Sequence, residues 1–118
     1  MRNNTQLGQE GEKIAMDYLI REGYEILHQN YRHKRSEIDL IAKKKGVVVF
    51  VEVKMRSSVN FGQPEEAVDE KKEEQIMMGA EAYIEQENWS GPLRFDILSI
   101  VKNKSRVEEI RHFVDAFG

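Results

Sequence analysis

Asp39, Glu52 and Lys54 could meet at one spot and do metal-assisted phosphate chemistry. Asp39 lies in Ser36-Glu37-Ile38-Asp39-Leu40-Ile41-Ala42. Glu52 and Lys54 lie in Val47-Val48-Val49-Phe50-Val51-Glu52-Val53-Lys54, with Lys43-Lys44-Lys45-Gly46 between the two runs. β-Branched and aromatic residues on either side of a Gly-containing turn predict a β-hairpin. With Lys45-Gly46 as a two-residue loop, Lys44 faces Val47 and Asp39 faces Glu52. Directly opposed residues place their Cβ atoms about 4.5–5.5 Å apart on one face. Lys54, two residues beyond Glu52, points to that face as well.

The run from Val47 to Val53 carries a single charge, the pattern of a strand covered on both faces. Opposed carboxylates in such a setting repel each other and are costly to bury. A divalent cation resolves both problems: Mg²⁺ or Mn²⁺ takes carboxylate oxygens and keeps positions for water and phosphate. The plainer alternative is a partly exposed ion pair, Glu52 with Lys54 or Asp39 with Lys54, at the end of a sheet.

Asp39 followed by Glu52-x-Lys54 on the next strand resembles the signature of the PD-(D/E)XK nuclease superfamily. The finer match is to the YraN-like family of small bacterial proteins, which resemble archaeal Holliday-junction resolvases. The matching segments are Gly8-x-x-Gly11-Glu12-x-x-Ala15, Asn30-Tyr31-Arg32, Glu37 to Ala42, Val49 to Lys54 with Arg56, Ala67-Val68 with Lys72, and Arg94-Phe95-Asp96. They run in the family's order across nearly the whole chain. Ser36 departs from the pattern, since the family usually has Gly before Glu-Ile-Asp. The resemblance implies a restriction-endonuclease-like core and a metal-dependent endonuclease acting on DNA, branched or structured DNA included. It further implies Asp39 and Glu52 as ligands of Mg²⁺ or Mn²⁺, with Glu12 as a further site carboxylate. Lys54 would be a catalytic cation and Lys72 a site or phosphate-contacting residue.

These residues must be positioned by a small set of elements. Leu7, Gly11, Ile14, Ala15, Tyr18 and Leu19 form a stripe at helical spacing, capped at Asn3, Asn4 or Thr5 and ending near Gly23. Taken alone, Glu12 would be an ordinary solvated helix residue. Tyr24 to Tyr31 predicts a first strand, and Arg32-His33-Lys34-Arg35 a basic loop just before Asp39. That loop is either a solvated turn or, with Lys43 to Lys45 and Arg56, a rim contacting phosphates through Arg32, Lys34, Arg35 and Arg56. Residues 56–64 predict the longest loop. A second helix runs from about Asp69 to Asn88 with Ile76, Met77, Ala80, Tyr83 and Ile84 as its apolar face. Lys72, one turn before Ile76, continues that face. Trp89-Ser90-Gly91-Pro92 is a turn; Leu93 to Val101 and Val107 to Val114 are further strands. Asp96 is expected to be structural, paired with Arg94 or a neighbouring strand. The order predicts an α/β (α+β) fold with a mixed central sheet of about five strands flanked by helices.

At 118 residues and 40% hydrophobic content, one domain spanning 1–118 is expected. Zero cysteine excludes disulfides, thiolate zinc sites and a thiol nucleophile. His28, His33 and His112 have no metal-ligand spacing. No apolar run suits a membrane span or signal peptide, so a cytoplasmic protein without membrane contact is the expectation. Residues 1–60 carry eleven Lys and Arg against eight Asp and Glu; residues 61–118 carry seven against thirteen. Contacts to nucleic acid are therefore expected from the first half. Two other functions fit the composition: a nucleic-acid-binding module with a vestigial site and no useful cleavage, and a protein-interaction domain using the acidic second half. A homodimer stays open.

Overall fold

A computed structural model describes residues 4–56, 69–104 and 106–118. Their elements follow the order α1 Asn4–Arg21, β1 Glu25–His33, β2 Ser36–Lys44, β3 Val47–Arg56, α2 Glu70–Glu87, β4 Leu93–Asn103 and β5 Arg106–Phe117. The five strands form one sheet in sequence order. All neighbours are antiparallel except β3 and β4, which run parallel because α2 carries the chain back between them. This is the mixed α+β sheet expected of a restriction-endonuclease-like core.

The helices end where sequence chemistry ends them. Gly23, at φ +92°, closes α1: the N–H of Tyr24 donates to the Leu19 carbonyl at 2.9 Å and that of Gly23 to Ile20 at 3.0 Å. Asp69 caps α2 by accepting the Lys72 N–H at 2.9 Å, and Asn88 in the left-handed region terminates it.

Each helix covers one face of the sheet. Ala15 and Leu19 of α1 pack on Leu40, Ala42, Val49, Val51, Leu98 and Ile100. Ile76, Ala80 and Tyr83 of α2 pack on Ile38, Ile41, Val48 and Phe50. Met77, expected on the buried face of α2, is instead 41% exposed. Gly79 is buried in that face, because a Cβ there would stand 3.0 Å from the Ser36 Cβ and 3.2 Å from Ile38 Cδ1. Ser36, the position at which the chain departs from its resemblance, is thus accommodated by a glycine on the facing helix.

The hairpins are tighter than expected. β1 and β2 extend through His33 and Ser36, which pair, so the basic loop shrinks to Lys34 and Arg35. β4 and β5 likewise extend into their polar turn, to Asn103 and from Arg106. The Lys45-Gly46 loop has positive φ at both residues, 50° and 78°, as a two-residue turn matched to strand twist requires. The long loop expected over 56–64 lies, from residue 57 on, outside the described residues, as does Ala67-Val68.

Candidate active site

The β2–β3 register runs from Lys44↔Val47 to Leu40↔Val51 and then stops. The expected register holds through Leu40 and Val51, and the ladder ends just before Asp39 and Glu52. A continuing ladder would have paired the Val53 N–H with Ile38. It donates to Asp39 Oδ2 at 2.8 Å instead.

β2 also turns over at this point. Ile38 and Ile41 pack under α2 whereas Leu40 packs under α1, so strict alternation fails between residues 38 and 40. On β1, Asn30 lies between the pairs Gln29↔Leu40 and Tyr31↔Ile38, opposite Asp39, and takes φ 50°. Asn tolerates this left-handed conformation better than most residues. Both strands are irregular at one rung, and the Asp39 carboxylate there accepts from the Val53 N–H of β3.

The electrostatics follow from that placement. Burial, and then the neighbouring charge of Glu52, push the Asp39 carboxyl up to about 7; the Val53 hydrogen bond works against the rise and Glu12 adds to it. Glu12 reaches the site from α1, half-buried. Burial raises its carboxyl above the ordinary range, a side-chain hydrogen bond with Asn30 opposes the rise, and the charge of Glu37 adds to it. Glu52 is buried on β3, and Lys72 Nζ lies 3.0 Å from its Oε1. Burial works against the charge of Lys72, but Glu52, then Asp39 and Glu37, more than offset it and raise its pKa.

Lys54 is half-buried on β3, two residues past Glu52, and pairs in the parallel register with the buried Ser99 of β4. Glu12, Asp39, Glu52 and Lys72 therefore form one electrostatic cluster, with Lys54 beside it. Arg32, Lys34, Arg35 and Arg56 stand at the same end of the sheet, where β1–β2 turns and β3 finishes. Arg32 is exposed and 3.5 Å from Glu37. A groove of about 480 Å³ flanks this end, between the Lys34-Arg35 turn and the Gln75, Met78 and Glu85 side of α2. Lys43 and Lys44 lie at the other end of β2, roughly 13 Å or more from Asp39 at ~3.3 Å per residue. They are engaged there: Lys43 over the Trp89 ring, and Lys44 over Tyr24 and on the Glu22 carbonyl at 2.6 Å. They are not part of the rim.

Asn30 is the participant that residue spacing does not single out, since its role depends on a backbone distortion. Asp96 is structural, as expected. It is fully buried, accepts from Arg94 Nε and Nη2 at 2.8 Å each and from the Asp115 N–H at 3.0 Å, and lies 2.7 Å from His112 Nε2. Arg94 also donates to the Tyr24 hydroxyl at 2.7 Å. Despite its burial, the bonds from His112 and Arg94 hold the Asp96 carboxyl below its usual value.

The residues present fit a hard divalent cation. Two carboxylates are held together against their repulsion, and Mg²⁺ commonly binds through one or two carboxylates plus water and phosphate. Among the described residues, no three His, Asp or Glu side chains make a ready metal cage. Glu12 would act through bound water or after a side-chain movement. Among the described residues, no helix is long and apolar enough to cross a membrane.

Residues 11–100 match the Uncharacterised protein family UPF0102. The UPF0102 protein of Caldanaerobacter subterraneus subsp. tengcongensis is 47% identical, with 98% of this chain and 97% of the relative aligned. That of Christiangramia forsetii is 39% identical, covering 99% and 98%. That of Clostridioides difficile is 43% identical, covering 98% and 99%.

Proposed function

The chain belongs to the UPF0102 (YraN-like) family, and we propose that it is a metal-dependent endonuclease that hydrolyses DNA phosphodiester bonds, with branched or structured DNA among its substrates. The observation that carries this is the buried Asp39, just past the end of the β2–β3 ladder, whose carboxyl is pushed up to about 7 by burial and by the charge of Glu52. Sites that shift carboxylate pKa values in this way are candidates for chemistry.

Asp39 and Glu52 would hold Mg²⁺ or Mn²⁺, with Glu12 reaching the metal or its water. Bound there, the cation supplies Lewis-acid polarisation of the phosphoryl oxygen and a water of lowered pKa. Lys54 orients that water and offsets charge growing on the phosphate. The water oxygen would bond to phosphorus as one P–O ester bond breaks; one water proton would pass to solvent or to Glu12, and the leaving oxygen would take a proton from solvent, giving a phosphate monoester and an alcohol. Arg32, Lys34, Arg35 and Arg56 bind flanking phosphates and set the register without reading sequence.

The other reading is a nucleic-acid-binding module with a vestigial site. The net charge of −3 and the closed Lys72–Glu52 pair favour it. Incubation with linear, nicked and four-way-junction DNA in Mg²⁺, Mn²⁺ or EDTA separates the two. Metal-dependent cleavage lost in Glu52→Gln supports the endonuclease. DNA retention with no cleavage of any of the three shapes leaves the binding module.

A further inference from the structure

The Lys72–Glu52 pair joins two partners of very different exposure. The Glu52 side chain is 10% exposed and sits on the central strand, whereas the Lys72 side chain is 47% exposed. The Lys72 backbone is fixed at the first turn of α2 by the Asp69 cap, so its ammonium can leave Glu52 without moving the helix. Its flexible four-carbon stem carries a compact charge that water solvates well. Glu37 and Asp39 are the other carboxylates close enough to act on it, and Asp39 and Glu52 are the two assigned to the metal.

We propose that Lys72 is a resident counter-ion of Glu52, displaced when a divalent cation binds between Asp39 and Glu52 and thereby released towards the DNA phosphate. The inference rests on the metal-dependent site proposed above. Without metal, Lys72 neutralises one carboxylate of a repelling pair. With metal, an ammonium at 3.0 Å from the same oxygen faces a double positive charge, and its favourable position becomes the incoming anion. Lys72 and the cation therefore compete, while the cation and DNA reinforce each other through Lys72. By linkage, DNA tightens metal binding by the factor by which metal tightens DNA binding.

Calorimetric titration of Mn²⁺ into DNA-free protein tests this, with Asp39→Asn as the blank for the site. Lys72→Met is expected to bind Mn²⁺ roughly five- to fiftyfold more tightly than wild type, because a competing charge is gone. Lys72→Arg, which keeps a cation on Glu52, is expected to stay near wild type. A lysine that merely supported the fold would give the opposite sign, weaker metal binding in Lys72→Met, and Lys72→Gln provides a second removal of the charge. In Ca²⁺, the salt dependence of DNA retention is expected to be steeper for wild type than for Lys72→Met by about one unit of slope, with no difference in EDTA. Unchanged or weaker Mn²⁺ binding in both neutral variants overturns the exchange and leaves the metal site standing. If wild type takes up no Mn²⁺ at an Asp39-dependent site, the metal site and the exchange fall together.

Discussion

Replacing Asp39 by Asn removes a charge while keeping an oxygen that can accept the Val53 N–H, so it isolates the electrostatic cost of the carboxylate. In the folded protein burial, and then Glu52, push the Asp39 carboxyl up from its usual 3.8 to about 7. That rise corresponds to at most ~4 kcal/mol, at about 1.36 kcal/mol per pH unit. Its sign is destabilising. Between about pH 4 and 7 the folded state holds a proton that the unfolded state has released, so this group's contribution to stability falls as pH rises through that window. Metal-free Asp39→Asn is therefore expected to be more stable than wild type at pH 8, by about 1–4 kcal/mol, or several degrees in Tm, and equal to it near pH 3.5. Saturating Mg²⁺ or Mn²⁺ is expected to stabilise wild type alone and so to cancel most or all of that difference. A ligand at a hundredfold excess over its Kd adds about 2.7 kcal/mol to wild type and nothing to a variant that cannot bind it. Thermal melts across pH 3.5–8, in EDTA and in metal, read both effects. Superimposable pH profiles in EDTA, or equal stabilisation of both proteins by metal, would refute the assignment of Asp39 as a strained ligand.

Lys54→Ala is expected to retain DNA within a few-fold but to lose roughly 10²–10³ in cleavage rate, since it removes a preorganised charge at the reacting centre rather than one of several phosphate contacts; equal cleavage would exclude that role. Asp96→Asn leaves Arg94 and His112 facing a neutral group in a buried network, and about 3–5 kcal/mol of stability should be lost in urea melts without direct loss of metal binding. Gly79→Ala should destabilise by about 1–3 kcal/mol despite better helix propensity, because the new methyl meets Ser36 at 3.0 Å. Adding Ser36→Gly should recover most of that loss, and simple additivity in the double-mutant cycle would argue against the contact.

Much of this arrangement was legible in the residues themselves. The hairpin register follows from Lys45-Gly46, because a two-residue turn leaves one pairing, and it holds as far as Leu40 and Val51, one residue short of Asp39 and Glu52. Asp69, Gly23 and Asn88 mark helix ends by their own chemistry. Alternation misled at Ile38 and Leu40, where β2 turns over opposite a left-handed Asn30; an apolar pattern records which residues are buried but not under which helix. Met77, expected on the apolar face of α2, is exposed, and Gly79, which the apolar pattern left out, is buried there. Helical spacing admits both, and only the nearness of Ser36 decides that the smaller one faces the sheet. The pairing of Lys72 with Glu52 joins elements twenty residues apart, a long-range contact that no local spacing specifies. Assignment to UPF0102 came from segments spread along the chain rather than from any one of them.

The strand order also bears on how the molecule is assembled. All five strands meet a partner adjacent in sequence through a short turn, so β1–β2–β3 and β4–β5 can each zip locally. Joining β3 to β4 requires closing a much longer loop that includes α2, the topologically expensive step in folding such a sheet. Asp39 and Glu52 belong to the early hairpin, whereas Lys72 arrives only with α2. Until that closure the two acids face each other without their lysine, and a divalent ion present during folding would act as a substitute chaperone for their charge. Refolding is therefore expected to be faster in Mg²⁺ than in EDTA for wild type, and insensitive to metal once Asp39 is Asn.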